Sequence, residues 1–438
     1  MKSDRQSELE LQDVGRRRVV ARFDAEHVSS DGGLPLVREV DQRLGILAAF
    51  AACFTDHRKQ RLVEHSVQDL LSQRVYGLIA GYEDLKPLAS PSTLNRVELT
   101  PKDATSASRY KKVVYDEASI EAFFVDAFLK QHPKAPDEII LDLDATDDPI
   151  HGHQEGRFFH GYYGNYCYLP LYIFCGSDLL VAKLRPSNID GSAGAQEEVA
   201  RVVGQLRKKW PNVKVVLRAD SGFARDALMD WCESNSVDFV FGLAKNTRLV
   251  SMISTELQNA GQRSAASGQP EREFKELRYS TLNSWSRERR VVAKAEHIVE
   301  KPNPRFVVTT LSPEEHDAKR LYEVIYCARG DMENRIKEQQ LALFADRTSA
   351  QTMRANQLRL WFASVAYVLM NALRRFGLSG TDLERAQCDT IRARLIKVGA
   401  LVCVSVRRVL LRLSAAAPAQ TLFGSVLANL QNRLPSTA

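Results

Sequence analysis

The sequence predicts an α/β fold: a mixed sheet flanked by helices, interrupted by a β-rich insertion and bracketed by helical regions at both ends. Two observations carry this. Apolar residues recur at helical spacing in the first 130 positions and again beyond 351, whereas after Pro136 the chain switches to short runs rich in Val, Ile, Leu and aromatic residues. Its 438 residues also exceed one ordinary compact domain, so two or three units are expected.

The first thirty-five residues, with GRRRVVARF and SSDGGLP, alternate polar, basic and turn-forming residues and read as an arm with one hairpin. From Val37 the spacing is helical: Val37, Val40, Leu44, Leu47, Ala48 and Ala51 recur at three and four. Ser66 starts a second helix, SVQDLLSQRVYGLIAGY, Ser90–Glu98 reads as a capped helix start, and DEASIEAFFVDAFLKQH is amphipathic. Residues 1–130 are therefore expected to be mostly helical.

Beyond Pro136, EIILDLDAT, YLPLYIFCG and LLVAKLRPS read as strands. The helix AGAQEEVARVVGQLRKKW, the strand VKVVLRAD, the helix ARDALMDWCESN and the strand VDFVFGLA follow. Three strands, then helix, strand, helix, strand, is the order of an RNase H-like sheet, an antiparallel meander continued by parallel crossovers. This core spans 137–250. Residues 251–270 read as a linker, and FKELRYSTL, RRVVAKAEHIV and RFVVTTL as strands, together a β-rich insertion over 251–315. The core returns over 316–350 through RLYEVIYCARG to the helix DMENRIKEQQLALF, with Asp331 as its cap. Long helices are expected at 352–376, 388–414 and 417–433 within the C-terminal region 351–438.

Composition narrows the function. Sixty Lys and Arg against fifty-four Asp and Glu leave a net charge of +6, which permits a polyanionic partner without demanding one. Seven scattered cysteines without a Cys-x-x-Cys pair read as buried free thiols of a reducing cytoplasm. The uncharged run Leu360–Leu373 is fourteen residues, short of the roughly 20 a membrane helix needs. No Gly-x-x-x-x-Gly-Lys-Ser/Thr occurs, so no nucleotide cofactor is expected. His151 and His153 lack the further ligands of a structural zinc, and His160 with FFHGYYGNYCYLPLY reads mostly as strand and core, with some of these side chains available to line a DNA channel.

The chemistry concentrates in carboxylates. In LDLDATDDPIHGH, strand alternation puts Asp142, Asp144 and Thr146 on one side and Ile139, Leu141 and Leu143 on the other. Two like charges so close are costly unless a cation sits between them. The same Asp-x-Asp-x-Thr spacing fits the nucleophile loop of haloacid-dehalogenase-type phosphatases, in which Asp142 would be the nucleophile. Asp220 ends the apolar strand VKVVLRADSGF, where α/β sheets collect functional groups. Tyr326, Arg329, Glu333 and Lys337 step by three, four and four along a helix face.

Taken together, DLDATDD, RADSGF and Tyr-x-x-Arg-x-x-x-Glu, in that order, resemble the DDE transposases of bacterial insertion sequences. Within them the chain is similar to the subgroup whose RNase H-like domain is interrupted by β-strands before the Glu-bearing helix. The resemblance covers about Glu138 to Ala345 and implies a catalytic, metal-binding triad of Asp144, Asp220 and Glu333. Asp144 is chosen over Asp142 because the family's first aspartate usually stands two residues before a Thr, so Asp142 and Thr146 become neighbours of lesser role. The phosphatase reading leaves Tyr326, Arg329 and Glu333 unused, and it expects strands and helices to alternate.

The resemblance implies two Mg²⁺ ions, with Mn²⁺ as substitute, about 4 Å apart at the triad. It also implies hydrolytic nicking followed by strand transfer in a cut-and-paste reaction, on double-stranded DNA that includes terminal inverted repeats and target. A homodimeric synaptic complex and a cytoplasmic, nucleoid-associated place of action are expected. Tyr326 and Arg329 would hold backbone phosphates, with Arg218 also at the DNA. The family's following Lys is Gln340 here, which leaves Lys337 as the available substitute. Trp285 in the insertion is the candidate to hold a flipped base, set against the reading of a surface or core Trp with no catalytic meaning.

Further phosphate contacts are expected from GRRRVVAR, from RKKW at Arg207–Trp210, from SRERR at Ser286–Arg290, and from C-terminal Arg374, Arg375, Arg392, Arg394, Lys397, Arg407, Arg408 and Arg412. The N-terminal helices would read the repeats. The alternatives are an RNase H-like nuclease without strand transfer and an inactive DNA-binding descendant.

Overall fold

The computed structural model describes residues 9–14, 17–21, 28–83, 90–298, 301–415 and 417–435. Two compact units are present: Leu44–Ala372, and a smaller one made of Met1–Arg43 with Leu373–Ala438.

The larger unit is a mixed α/β structure built on a nine-stranded sheet. Its main strands are β1 (Glu138–Ala145), β2 (Leu171–Cys175), β3 (Asp178–Lys183), β4 (Lys214–Ala219), β5 (Asp238–Leu243), β6 (Glu271–Tyr279), β7 (Arg289–Ile298) and β8 (Arg305–Thr309), in the order β3-β2-β1-β4-β5-β8-β7-β6. The short strand Lys301–Pro302 pairs with β7. β1, β2 and β3 are antiparallel neighbours, β4 lies parallel to both β1 and β5, and β8, β7 and β6 continue antiparallel. The strands of the insertion thus widen the main sheet at the edge β5 would otherwise leave open.

The period-two pattern sorts side chains to two cores. Leu141, Leu143, Val215, Leu217, Phe239 and Phe241 are buried on one face with helices α1 (Glu117–Gln131), α2 (Ala195–Lys209) and α3 (Asp226–Ser234). Val216, Val240, Val292 and Val307 face the other way, against Leu321 and Tyr322. Helix starts follow the local chemistry. The Asp116 carboxylate accepts from Ser119 N–H at the start of α1, and Ser66 with Asp69 forms a reciprocal capping box on helix Val67–Ile79.

Several expectations are corrected. Residues 251–270 are not a linker: Thr247–Met252 and α4 (Ser254–Ser267) are helices. Leu249, Ile253, Ala260 and Ser264 form their buried stripe, and its small, polar members hid the period. The helix expected over 388–414 is only a helical segment, Cys388–Ile396, followed by a hairpin of Ala400–Val404 and Val409–Leu413. β-branched alternation in LVCVSVRRVLLRL favours the hairpin. Asp331 does not cap its helix: α5 (Gly330–Leu343) continues from helical turns beginning at Ala318, so Asp331 sits inside the first turn. Of the cysteines, Cys327 and Cys403 are exposed, and all seven are free.

In the smaller unit, Leu9–Val14 pairs with Arg17–Ala21 as the expected hairpin; Gly15, Arg16, Arg22 and Phe23 of GRRRVVARF lie outside the described residues. Val28–Ser29 extends the C-terminal hairpin to three strands. Gly33 passes so close to the chain that an added Cβ would stand 2.0 Å from Leu395 O, so only glycine fits. Among the described residues no helix is long and apolar enough to cross a membrane.

The edge strand β3 is covered by α6 (Met353–Ala372), and this buries backbone groups that would otherwise face water. The Gln357 amide resolves the conflict as a strand would: its Oε1 accepts from Leu184 N–H at 2.6 Å and its Nε2 donates to Ala182 O at 3.1 Å. Gln357→Leu strands both groups and is expected to cost about 2–4 kcal/mol of stability, read from urea unfolding; a loss below about 1 kcal/mol would mean water replaces the amide.

Candidate active site

Three carboxylates from distant segments line one cleft of about 590 Å³: Asp144 at the end of β1, Asp220 just after β4, and Glu333 in the first turn of α5. Thr146, Arg329, Lys337 and Gln340 line it too. Asp220 is set by its own turn, where its Oδ1 accepts from Gly222 N–H at 2.8 Å. Behind it lies Tyr326. A Cβ at Gly242 would stand 2.5 Å from the Tyr326 hydroxyl and 2.9 Å from Ser221 N, so the missing side chain lets the ring reach the Asp220 turn.

Arg329 lies between two of the acids. Its Nη2 donates to Glu333 Oε1 at 2.7 Å, and its Nη1 is 3.6 Å from Asp144 Oδ2. Burial pushes the Asp144 carboxyl up to about 7; Arg329 opposes the rise, while the charges of Asp220 and Glu333 add to it. Among the described residues no three acid, His or Cys side chains stand close enough to hold a metal ion. The donor set is nevertheless all carboxylate oxygen, which suits a hard divalent cation. In this arrangement the Arg329 guanidinium supplies the positive charge between Asp144 and Glu333.

Asp142 and Arg218 sit beneath the cleft. Asp142 is 2% exposed and is bound in two-pronged fashion by Arg218, Nε to Oδ1 at 2.5 Å and Nη2 to Oδ2 at 2.8 Å. The third prong, Nη1, donates to Ile325 O at 2.6 Å. Burial still holds Asp142 above its ordinary value against the pull of Arg218. Arg218, expected at the DNA, is therefore buried and fully engaged inside the protein.

Other expected residues are placed as follows. Lys337 and Gln340 are on the cleft wall, and the Gln340 amide donates to Asp147 O at 3.3 Å. Trp285, between β6 and β7, is not part of the cleft lining; it stands edge-on to Tyr279 at 5.7 Å with the Arg289 guanidinium 5.5 Å from its ring. Arg289 and Arg290 of SRERR are buried in ion pairs with Asp226, Glu233 and Glu276, and Arg207 and Arg374 donate to backbone carbonyls. Arg407, Arg408 and Arg412 are exposed. His160, Tyr162 and Tyr163 line this cleft; they belong to the segment read mostly as strand and core, with some of its side chains available to line a channel. Gly161 and Gly164, flanking Tyr162 and Tyr163, were the available signal for a turn there.

The family model described as transposase DDE domain group 1 matches residues 11–87 and 85–435. The chain belongs to this DDE transposase family. No curated protein matches the sequence. Among solved structures it is similar to a cryo-EM structure of the piggyBac transposase synaptic complex with hairpin DNA, at 10% identity and a TM-score of 0.41, over 94% of this chain and 83% of that one.

For a DDE transposase, the pair beneath the cleft and the charge within it make different predictions. Arg218→Met leaves Asp142 buried without its partner and is expected to cost about 3–5 kcal/mol, whereas adding Asp142→Leu should recover most of it; chemical denaturation of both variants checks this. A carboxyl raised from 3.8 to about 7 favours the fold while protonated and loses that contribution as pH rises between the two values. Asp144→Asn is thus expected to raise the unfolding midpoint of the metal-free protein, with no gain near about pH 4 and a full gain above about pH 7. A midpoint lowered at pH 8 in EDTA would contradict it.

Proposed function

We propose that this DDE transposase cuts the terminal inverted repeats of a bacterial insertion sequence and joins the freed ends to target DNA, with Asp144, Asp220 and Glu333 as its catalytic acids. The convergence of these three carboxylates, 76 and 113 residues apart in sequence, on one cleft carries the reading. The sheet order β3-β2-β1-β4-β5, antiparallel and then parallel, supports an RNase H-like core. Cytoplasmic action, a homodimeric synaptic complex and repeat recognition by the N-terminal region belong to the same proposal.

Asp144, Asp220 and Glu333 would hold two Mg²⁺ ions, which supply activation of the attacking hydroxyl and stabilisation of the leaving 3′-oxygen. The rest falls to the protein. Asp220 is held ready by its turn, and Tyr326 braces that turn from behind. Arg329 offsets the repulsion between Asp144 and Glu333, and its guanidinium at the cleft would suit a backbone phosphate. Lys337 sits one helical turn beyond Glu333 on the same wall and takes a second phosphate in the place where Gln340 brings no charge.

The purified protein with Mg²⁺ and the repeat ends of its own element should give end cleavage and joining. Asp144→Ala, Asp220→Ala or Glu333→Ala should each lower both by about 10³-fold or more. Cleavage without joining would instead favour the nuclease, and neither would sink the proposal. Arg329→Ala is expected to slow cleavage yet tighten Mn²⁺ binding several-fold in calorimetry without DNA, because a competing cation leaves the cleft.

A further inference from the structure

A second cavity of about 490 Å³ lies in the larger unit, built from the segment around Arg58–His65, the helix Pro91–Glu98 and the segment Arg109–Val113. Five cationic side chains line it: Arg58, Lys59, Arg96, Arg109 and Lys112. Their neutralisation is incomplete. Arg58 is paired with Asp56 at 2.8 Å, Lys112 donates to the Ser106 carbonyl, and Glu64 is the one acid of the lining. Lys59, Arg96 and Arg109 have no carboxylate partner among the described residues.

The arrangement is costly as it stands. Arg96 and Arg109 both place their guanidinium against the ring of Tyr110, at 5.2 and 4.9 Å from its centre. Such contacts are weak at an exposed site, and Tyr110 is 57% exposed. They fix the two cations near one another without cancelling their charge. A polyanion crossing the cavity would relieve that repulsion. Exposed Leu62, also on the lining, adds an apolar surface of the kind a sugar can cover.

We propose that this cavity is a DNA-backbone site, separate from the catalytic cleft, in which Lys59, Arg96 and Arg109 hold consecutive phosphates and Tyr110 spaces the two guanidinium groups. None of these residues lines the cleft, so the site contributes grip and register rather than chemistry. It rests on the reading that the chain handles DNA, though not on the identity of the catalytic acids.

The test is binding of a duplex of about 30 base pairs in EDTA, where no reaction proceeds, followed by fluorescence anisotropy across a salt series. Each phosphate contact contributes about 0.9 to the slope of log affinity against log salt. The variant Lys59→Ala/Arg96→Ala/Arg109→Ala should bind at least about 10-fold more weakly at 0.1 M salt and lose about 2 to 3 from the slope. Its unfolding midpoint should stay near that of the unaltered protein. Arg96→Lys/Arg109→Lys, which keeps the charge, should keep most of the slope. Unaltered affinity and slope in the triple variant, or a loss in the Lys variant as large as in the triple, would overturn the site. Inorganic phosphate or dAMP that saturates the cavity and is not displaced by duplex would likewise make it a small-anion site. Failure of end cleavage with this binding result intact would count against the catalytic reading alone.

Discussion

The geometry of the cleft depends on one buried guanidinium. Arg218 stands two residues before Asp220 on β4, binds Asp142 two residues before Asp144 on β1, and donates to Ile325 on the segment leading to Arg329 and Glu333. A single planar group with its donors in a fixed fork thus touches all three elements that deliver a carboxylate. Lysine could not do this, since it lacks the fork. Asp142 is therefore neither nucleophile nor bystander: its charge keeps Arg218 in place, and the parallel register that sets Asp142 opposite Arg218 makes the pair inevitable once β1 and β4 adjoin.

Above that neutralised layer the cleft is left under electrostatic tension. Asp144 faces Asp220 and Glu333 in a partly buried space, and Arg329, with the Ala145 N–H that donates to Asp144 Oδ1, opposes the rise in its pKa. Such a site lowers the stability of the fold once Asp144 is ionised. The guanidinium of Arg329, set between Asp144 and Glu333, carries the planar fork that also suits a phosphate. The two layers differ in kind: the lower pair is closed by geometry, while the upper one remains open to exchange.

What was legible in the sequence was whatever depends on short period. Alternation in EIILDLDAT placed the acids on one face and Leu141 and Leu143 in the core, and the apolar runs located every main strand of the sheet. What was not legible depends on pairing across long separations. Nothing local distinguishes Arg218, Arg289 or Arg290, buried in ion pairs, from an arginine reaching for phosphate. The stripe of α4 was hidden because Ala260 and Ser264 are small enough to pack yet read as loop. The second basic cavity escaped for the opposite reason: its cations come from three segments, none of them dense enough in charge to stand out.

The insertion between Asp220 and Glu333 looks, in sequence, like an interruption of the core, but the packing gives it another role. β8 pairs with β5, so the face that carries Val216 and Val240 extends through Val307 and Val292. Leu321 and Tyr322 bury themselves on that widened face, with Phe274 of β6 5.8 Å from the Tyr322 ring and Lys294 of β7 5.1 Å from it. Four residues on is Tyr326 against the Asp220 turn, then Arg329, then Glu333. Had the sheet ended at β5, the turns before α5 would have lost much of the apolar surface that anchors them. Glu333 would then depend on the buried Met332 and Ile336 of its own helix and on the Arg218 bond to Ile325 in the segment before it. The inserted strands are thus part of the device that brings the third carboxylate to the other two.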